Sequence, residues 1–394
     1  MTTVTLAGGG NGHSHAFHRA LRGRTHRDGG DFWAWREAMY RVAAVLDPEL
    51  YGRLAEAVFA EMLVSGYTAV GEFHYVHHRP DGGAYRDPNA IGRSLAAAAE
   101  RVGIRLTLLD TCYLAGGPGR ALEPIQARFC DGSAAAWLER WHALADATSD
   151  RVLIGAAIHS VRAVPPPAIA EIVAGIPPEV PLHVHLSEQP AENAAVMEAY
   201  GRTPTQVLAD AGALTARLSV VHATHLTEED IQLLGAAGVT AVLCPTTEAD
   251  LGDGIGPARE LADAGAVIAL GSDQNTVIDP FLEMRGLEAG ERLRSLARGR
   301  FSPSELDAAR STGGYRALGW ADALDTLEVD ADSVRTVGAS FDQVTLAATA
   351  SDVLRVLVGG ELVAERGRLA DGRDPAKLLA AALSELDVLT GYVR

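Results

Sequence analysis

Two histidines separated by one residue, His13 and His15, stand almost at the start of the sequence. On an extended segment they project to one face, as two imidazole ligands of one ion must. Further groups able to bind a metal or move protons recur at the ends of apolar runs: His159, His185 with Glu188 just after it, His222 and Asp273. A lone histidine is ordinarily a satisfied polar residue, and His26, His77, His78 and His142 read that way. Several histidines and an aspartate gathered at strand ends would leave polar groups unpaired in one place, which a bound cation satisfies. Neutral imidazoles with a carboxylate suit Zn²⁺, with Fe²⁺ or Mn²⁺ allowed by the same donors. The three cysteines, Cys112, Cys130 and Cys244, show no C-x-x-C spacing, so neither a disulfide framework nor a thiolate zinc site is expected. Cys112 and Cys244 read as small core residues.

The elements that must position these groups alternate. Near-continuous apolar runs at 66–74, 104–113, 151–160, 181–187, 218–225, 239–247 and 266–273 read as buried parallel strands. Amphipathic stretches at 53–65, 89–102, 133–146, 227–237 and 257–264 read as crossover helices. The segment entering His13 must supply an eighth strand, although the glycines of TVTLAGGGNG make it a poor one. Eight such units predict an α/β fold of the (β/α)8 type over residues 1–325, in which all strand ends meet at one mouth. An open doubly wound sheet lacks its G-x-G-x-x-G signal here. Residues 326–394 change character, with a hairpin over 352–358 and 361–366 around Gly359-Gly360 and a closing helix over 375–390.

Composition narrows the chemistry. The chain of 394 residues is 47% hydrophobic and carries a net charge of −17, which repels phosphate backbones and anionic membranes. Neither nucleic acid nor membrane is an expected partner. The start lacks the basic and apolar regions of a secretory signal, and no run is long and apolar enough to span a bilayer, so a cytoplasmic location is expected. The one lysine is Lys377, which excludes a lysine Schiff base, a P-loop lysine or a carboxylated lysine bridging two metals within residues 1–376.

The segments HSHAFHRAL (13–21), FWAWREAMYR (32–41), GEFHYVHH (71–78), AIHSVRAV (157–164), HVHLSEQPAEN (183–193), VHATHLT (221–227) and GSD (271–273) resemble the formimidoylglutamate deiminases of the amidohydrolase superfamily. The resemblance covers most of residues 11–320. It implies a (β/α)8 barrel with a small β-sandwich, a homodimer, and one Zn²⁺ per chain held by His13, His15, His185 and Asp273. A single metal agrees with His159 standing on the fourth strand, where two-metal relatives carry a bridging residue. The implied reaction is hydrolytic deimination of N-formimino-L-glutamate, a step of histidine degradation, in which metal-bound hydroxide attacks the formimino carbon. Asp273 and His222 hold the nucleophile and Glu188 moves protons to the leaving ammonia. Glu188 also reads as a helix-opening residue in SEQPAEN.

The resemblance further places His18, Arg36, Tyr75, His159 and Arg162 around the glutamate portion of this small diacid. An arginine fork pairs with a carboxylate through two parallel hydrogen bonds, although most surface arginines merely form salt bridges. Phe32, Trp33, Trp35 and Tyr40 form either a lid or ordinary core packing. The chain departs from the family at His18, commonly Gln, and at Gln274-Asn275, commonly Ser-His, so a different amidine or heterocycle remains an alternative substrate. A shortened linker after Trp320 and the absence of the usual leading strands imply a truncated sandwich remnant, and with it the alternative of an inactivated metal-binding barrel.

Overall fold

The computed structural model describes residues 2–26, 32–320 and 323–392, with the side chains of Phe32 and Trp33 outside that description. Strand β1 (Thr3–Ala7) belongs to a small sheet, and a closed parallel barrel follows. Its staves are β2 (Gly9–Ser14), β3 (Tyr67–His74), β4 (Arg105–Cys112), β5 (Val152–Ser160), β6 (Leu182–Leu186), β7 (Leu218–His222), β8 (Thr240–Leu243) and β9 (Val267–Leu270). β10 (Thr326–Asp330), β11 (Val353–Val358), β12 (Glu361–Glu365) and β13 (Arg368–Leu369) complete the antiparallel sheet in the order β1-β10-β11-β12-β13. The hairpin turns at Gly359-Gly360 with φ of +60° and +82°, the left-handed region that glycine enters without a Cβ clash. Among the described residues no helix is long and apolar enough to cross a membrane.

Local sequence explains the elements. Helix α1 (Phe32–Val45) leads to α2 (Pro48–Ser65), which starts at Asp47, whose carboxylate accepts from Leu50 N at 2.8 Å, with Pro48 in the first turn. It ends at Gly66 in the left-handed conformation, from which β3 departs at once. The predicted run 218–225 stops as a strand at His222, because His222 and Ala223 take φ of +67° and +50° and turn the chain out of the sheet.

TVTLAGGGNG corrects the expectation of one weak strand leading into the barrel. It divides in two: Thr3–Ala7 pairs with β10, Thr3 opposite Asp330 and Ala7 opposite Thr326, while Gly9–Ser14 is the first stave. Neither β1 nor β10 was expected, since five-residue strands with only Val4 and Leu6, or Leu327 and Val329, turned inward give little alternation to read. The small sheet is therefore five-stranded and includes the start of the chain. The glycines are a packing requirement rather than a weakness. A Cβ on Gly9 would lie 2.8 Å from Gly66 O, and one on Gly10 would lie 2.8 Å from Tyr315 N and 2.9 Å from Ser311 O. The segment carrying those atoms, Ala309–Gly313 followed by the helix Gly314–Leu318, plugs the lower end of the barrel. Leu318 O accepts from Thr107 Oγ1 at 2.6 Å, and Ala317 O from His183 Nε2 at 2.8 Å.

The seam between β2 and β9 is paired only at Asn11 and Leu270. Polar contacts close the rest. Asn11 donates to Ser272 Oγ at 2.7 Å and accepts from Ser272 N at 3.0 Å, while the backbone N–H groups of Ser272 and Asp273 both donate to His13 O, at 3.1 and 2.9 Å. The strand ends that carry His13, His15 and Asp273 are thereby locked together.

Candidate active site

At the upper mouth the Nε2 atoms of three imidazoles converge. His185 Nε2 lies 3.1 Å from His13 Nε2 and 3.3 Å from His15 Nε2, and Asp273 Oδ1 stands 3.4 Å from His13 Nε2 and 3.6 Å from His15 Nε2. The tautomers are set from behind. His15 Nδ1 is 2.9 Å from Phe73 O and His185 Nδ1 is 2.9 Å from His159 O, and a carbonyl only accepts, so each Nδ1 carries the hydrogen and each Nε2 a lone pair. Burial lowers the pKa of His13, and it holds His15 and His185 well below the ordinary histidine value. Neutral rings thus oppose lone pair to lone pair at hydrogen-bond distance beside a carboxylate. This donor set fits a divalent cation of the Zn²⁺ type, which turns those repulsions into bonds.

Asp273 is buried, which alone would raise its pKa, yet His13, His222 and His15 hold it well below the usual range. His222 lies beyond it, with Nε2 3.8 Å from Asp273 Oδ2 and 3.9 Å from Glu188 Oε1. Burial opposes its protonation, but Glu188, Glu248 and Asp273 outweigh that and lift the imidazole to about 10. Glu248 was not anticipated from the sequence. Its Oε1 accepts from Cys244 N at 2.8 Å and lies 3.3 Å from His222 Nδ1, fixing the ring's orientation. Its position in CPTTE, directly after the predicted seventh strand, was the available signal. Cys244 is close to His222 and Asp273, but burial pushes its thiol well up and keeps it protonated.

A second wall is aromatic. His18 Nε2 and Tyr75 OH are 3.1 Å apart, and burial takes His18 down to about 3. The His159 ring packs 5.2 Å from His185, 5.6 Å from Tyr75 and 4.5 Å from Tyr113 between ring centres. Tyr113, at the end of the predicted third strand, is a further wall residue that the sequence reading passed over. Gln126 donates to both Tyr113 OH and Tyr40 OH, at 2.9 and 3.1 Å. Arg162 is half-buried in the turn after β5 and, among the described residues, has no hydrogen bond or ion pair; its charge bears on His159, Tyr113 and the buried Glu192. Arg36 is placed differently. It donates to Tyr40 OH and Glu123 Oε1, both at 3.0 Å, on the rim of the same wall.

The two departures from the family at the mouth have structural work. Gln274 accepts from Trp35 Nε1 at 3.0 Å and donates to Asp250 at 2.8 Å, which ties α1 to the rim. Asn275 sits at φ +57°, a conformation asparagine tolerates, and its Nδ2 donates to Ser14 Oγ at 3.1 Å and His15 O at 3.0 Å. It holds the backbone between the two leading histidines. Another buried group, His74, His77 and Asp110, is already neutralised, since Asp110 accepts from Arg140 at 2.7 and 2.8 Å and from Trp137 at 2.9 Å.

A model of the amidohydrolase family matches residues 4–363. The chain is 36% identical to a formimidoylglutamate deiminase of Pseudomonas aeruginosa, over 97% of this chain and 89% of that protein. It is 28% identical to a 5-methylthioadenosine/S-adenosylhomocysteine deaminase of Natronomonas pharaonis, over 90% of this chain and 80% of that one. Among solved structures, an amidohydrolase from Brucella melitensis superposes with a TM-score of 0.91 at 33% identity, covering 97% of this chain and 89% of the other.

Proposed function

This chain belongs to the amidohydrolase family and is a metal-dependent hydrolase of C–N bonds, and on that premise we propose that it deiminates N-formimino-L-glutamate to N-formyl-L-glutamate and ammonia, as in histidine degradation. The observation that carries the substrate is Arg162, a guanidinium that among the described residues makes no hydrogen bond or ion pair, near Tyr113 and His159 in a chain of net charge −17. It gives a substrate carboxylate a bidentate partner where the surrounding field would otherwise repel it. Arg36, His18 and Tyr75 border the same space and complete the grip on the glutamate portion.

His13, His15, His185 and Asp273 are the residues that would hold one Zn²⁺ per chain. The ion, when bound, supplies the Lewis acidity that brings water to deprotonation near neutral pH. Asp273 and His222 orient the attacking water through hydrogen bonds, and Glu248 keeps the His222 ring in the required orientation. Glu188 takes a proton from that water and passes it to the formimino nitrogen, and the second water proton follows to the same nitrogen as the tetrahedral adduct collapses. The new C–O bond replaces the C–N bond, ammonia leaves and the formyl amide remains.

The test is ammonia release from N-formimino-L-glutamate by purified protein whose zinc is measured on the same sample. About one zinc per chain with turnover supports the proposal. Turnover only on other amidines or heterocycles would move the chain to a neighbouring deaminase activity, and bound zinc with no turnover on any of them would leave a metal-binding barrel.

A further inference from the structure

Against Gln189, the neighbour of Glu188, lies a buried carboxyl group to which the reaction above gives no part. Asp253 occupies a tight turn between Gly252 and Gly254, at φ +73° and +119°. Its backbone is pinned on both sides: the N–H donates to Glu248 O at 2.9 Å, and the C=O lies 2.8 Å from His225 Nε2. A Cβ on Gly256 would lie 3.5 Å from the carbonyl oxygens of His222 and Ala223, so the turn runs close to the end of β7. One carboxylate oxygen, Oδ1, accepts from the side chain of Gln189, the neighbour of Glu188. The other, Oδ2, is buried and has no hydrogen-bond partner among the described residues, in a side chain only 3% exposed. Burial, with Glu188 as the foremost neighbouring charge, pushes the Asp253 carboxyl up to about 8.

A buried carboxyl with a carboxylate as its foremost neighbouring charge stays protonated until a cation arrives to pair with its ionised form. The group that would arrive there is the reacting end of an amidine, which is a planar N–C–N cation at neutral pH with N–H donors at its terminal nitrogen. Resting on the deiminase reading, we infer that Asp253 is a specificity residue whose Oδ2 accepts a hydrogen bond from the terminal nitrogen of the substrate amidinium, selecting cationic amidines over neutral amides. Atoms and charge balance: the amidinium and water give the formyl amide and ammonium, both water protons ending on the departing nitrogen, which Asp253 holds as its bond to carbon breaks. Gln189 has the positioning part, since it takes Oδ1 and leaves Oδ2 without a partner among the described residues.

The test uses two ligands of one shape, N-carbamimidoyl-L-glutamate, a guanidinium cation, and N-carbamoyl-L-glutamate, a neutral urea. Their affinities for the zinc-loaded protein are measured by calorimetry, with zinc content and melting temperature on the same samples. The wild type is expected to bind the cation at least about tenfold more tightly. Asp253→Asn is expected to lose that preference while keeping its zinc and its affinity for the urea. A variant that keeps the preference overturns the assignment, as does a wild type that shows none. If the Asn variant fails to fold, Asp253→Glu, which retains the charge, must retain the preference, and its loss there equally overturns the assignment. If the wild type binds neither glutamate derivative, the glutamate reading falls on its own, and acetamidinium is titrated instead. Loss of acetamidinium binding in Asp253→Asn then sustains the site, and unchanged binding overturns it.

Discussion

Removing the Arg162 guanidinium is expected to weaken the binding of a dicarboxylate while leaving the fold alone. The side chain is half-buried and, among the described residues, makes no hydrogen bond or ion pair, so Arg162→Ala breaks no internal bond, although it takes a favourable charge away from the buried Glu192 carboxyl. That loss is expected to cost about 1 kcal/mol or less, and in a chain of this length the melting temperature is expected to move by no more than about 2 °C. The larger loss falls on the substrate. A charge-assisted hydrogen bond is worth roughly 1.5–3 kcal/mol, and two parallel ones in a half-exposed pocket, screened in part by water, are worth about 2–3 kcal/mol together. At about 1.4 kcal/mol per factor of ten, that is a roughly 30- to 140-fold rise in KM. If the contact is made equally before and during the reaction, kcat stays near its wild-type value. Steady-state ammonia release with thermal melts on the same preparations provides the measurement. An unchanged KM with a lowered melting temperature would refute the reasoning, because Arg162 would then be holding the protein rather than the substrate.

Glu188→Gln is expected to keep its zinc and lose about 10²- to 10⁴-fold in kcat, the usual worth of a positioned proton carrier; zinc lost along with activity would mark Glu188 as structural instead. Gly10→Ala drives a Cβ to within 2.8 Å of Tyr315 N and 2.9 Å of Gly314 C, both backbone, and is expected to cost about 3 kcal/mol, read as a lowered denaturation midpoint. Wild-type stability in that variant would show that the plug beneath the barrel yields easily. Glu283 offers a pH test. Burial raises its carboxyl to about 8 although Thr246 N donates to it at 3.0 Å, so the folded chain keeps it protonated where the unfolded chain ionises, from near 4.5 upward. Its contribution to stability is complete below pH 4.5 and is lost as pH rises through about 8. Melting temperatures of Glu283→Gln relative to wild type are therefore expected to improve from pH 5 to pH 8; a difference constant with pH would refute this.

Much of the architecture was legible because a parallel barrel writes itself as repeated apolar runs, and seven of the eight staves lie within the runs read from sequence. The same runs placed His159, His185, His222 and Asp273 at strand ends, and strand ends in a closed barrel share one mouth. Residue type and strand position, which are local properties, thus bring His13, His15, His159, His185, His222 and Asp273 to one mouth, while the choice of His13, His15, His185 and Asp273 among them came from the resemblance to the family. Tertiary structure alone decided the rest. His183 and His185 repeat the His-x-His spacing of His13 and His15, yet His183 sits two residues deeper and is satisfied by Ala317 O at 2.8 Å, while His185 reaches His13 and His15. Depth along a stave depends on how the barrel is plugged from below by a segment more than a hundred residues away in sequence. For the same reason the glycines of β2 looked like a flaw until Ser311, Gly314 and Tyr315 were seen lying against them. Glu248 and Asp253 became visible only when helix and turn brought them against His222 and Gln189. Sequence specifies which groups stand at the rim; which of them are left with an unpaired lone pair is set by what packs behind each one.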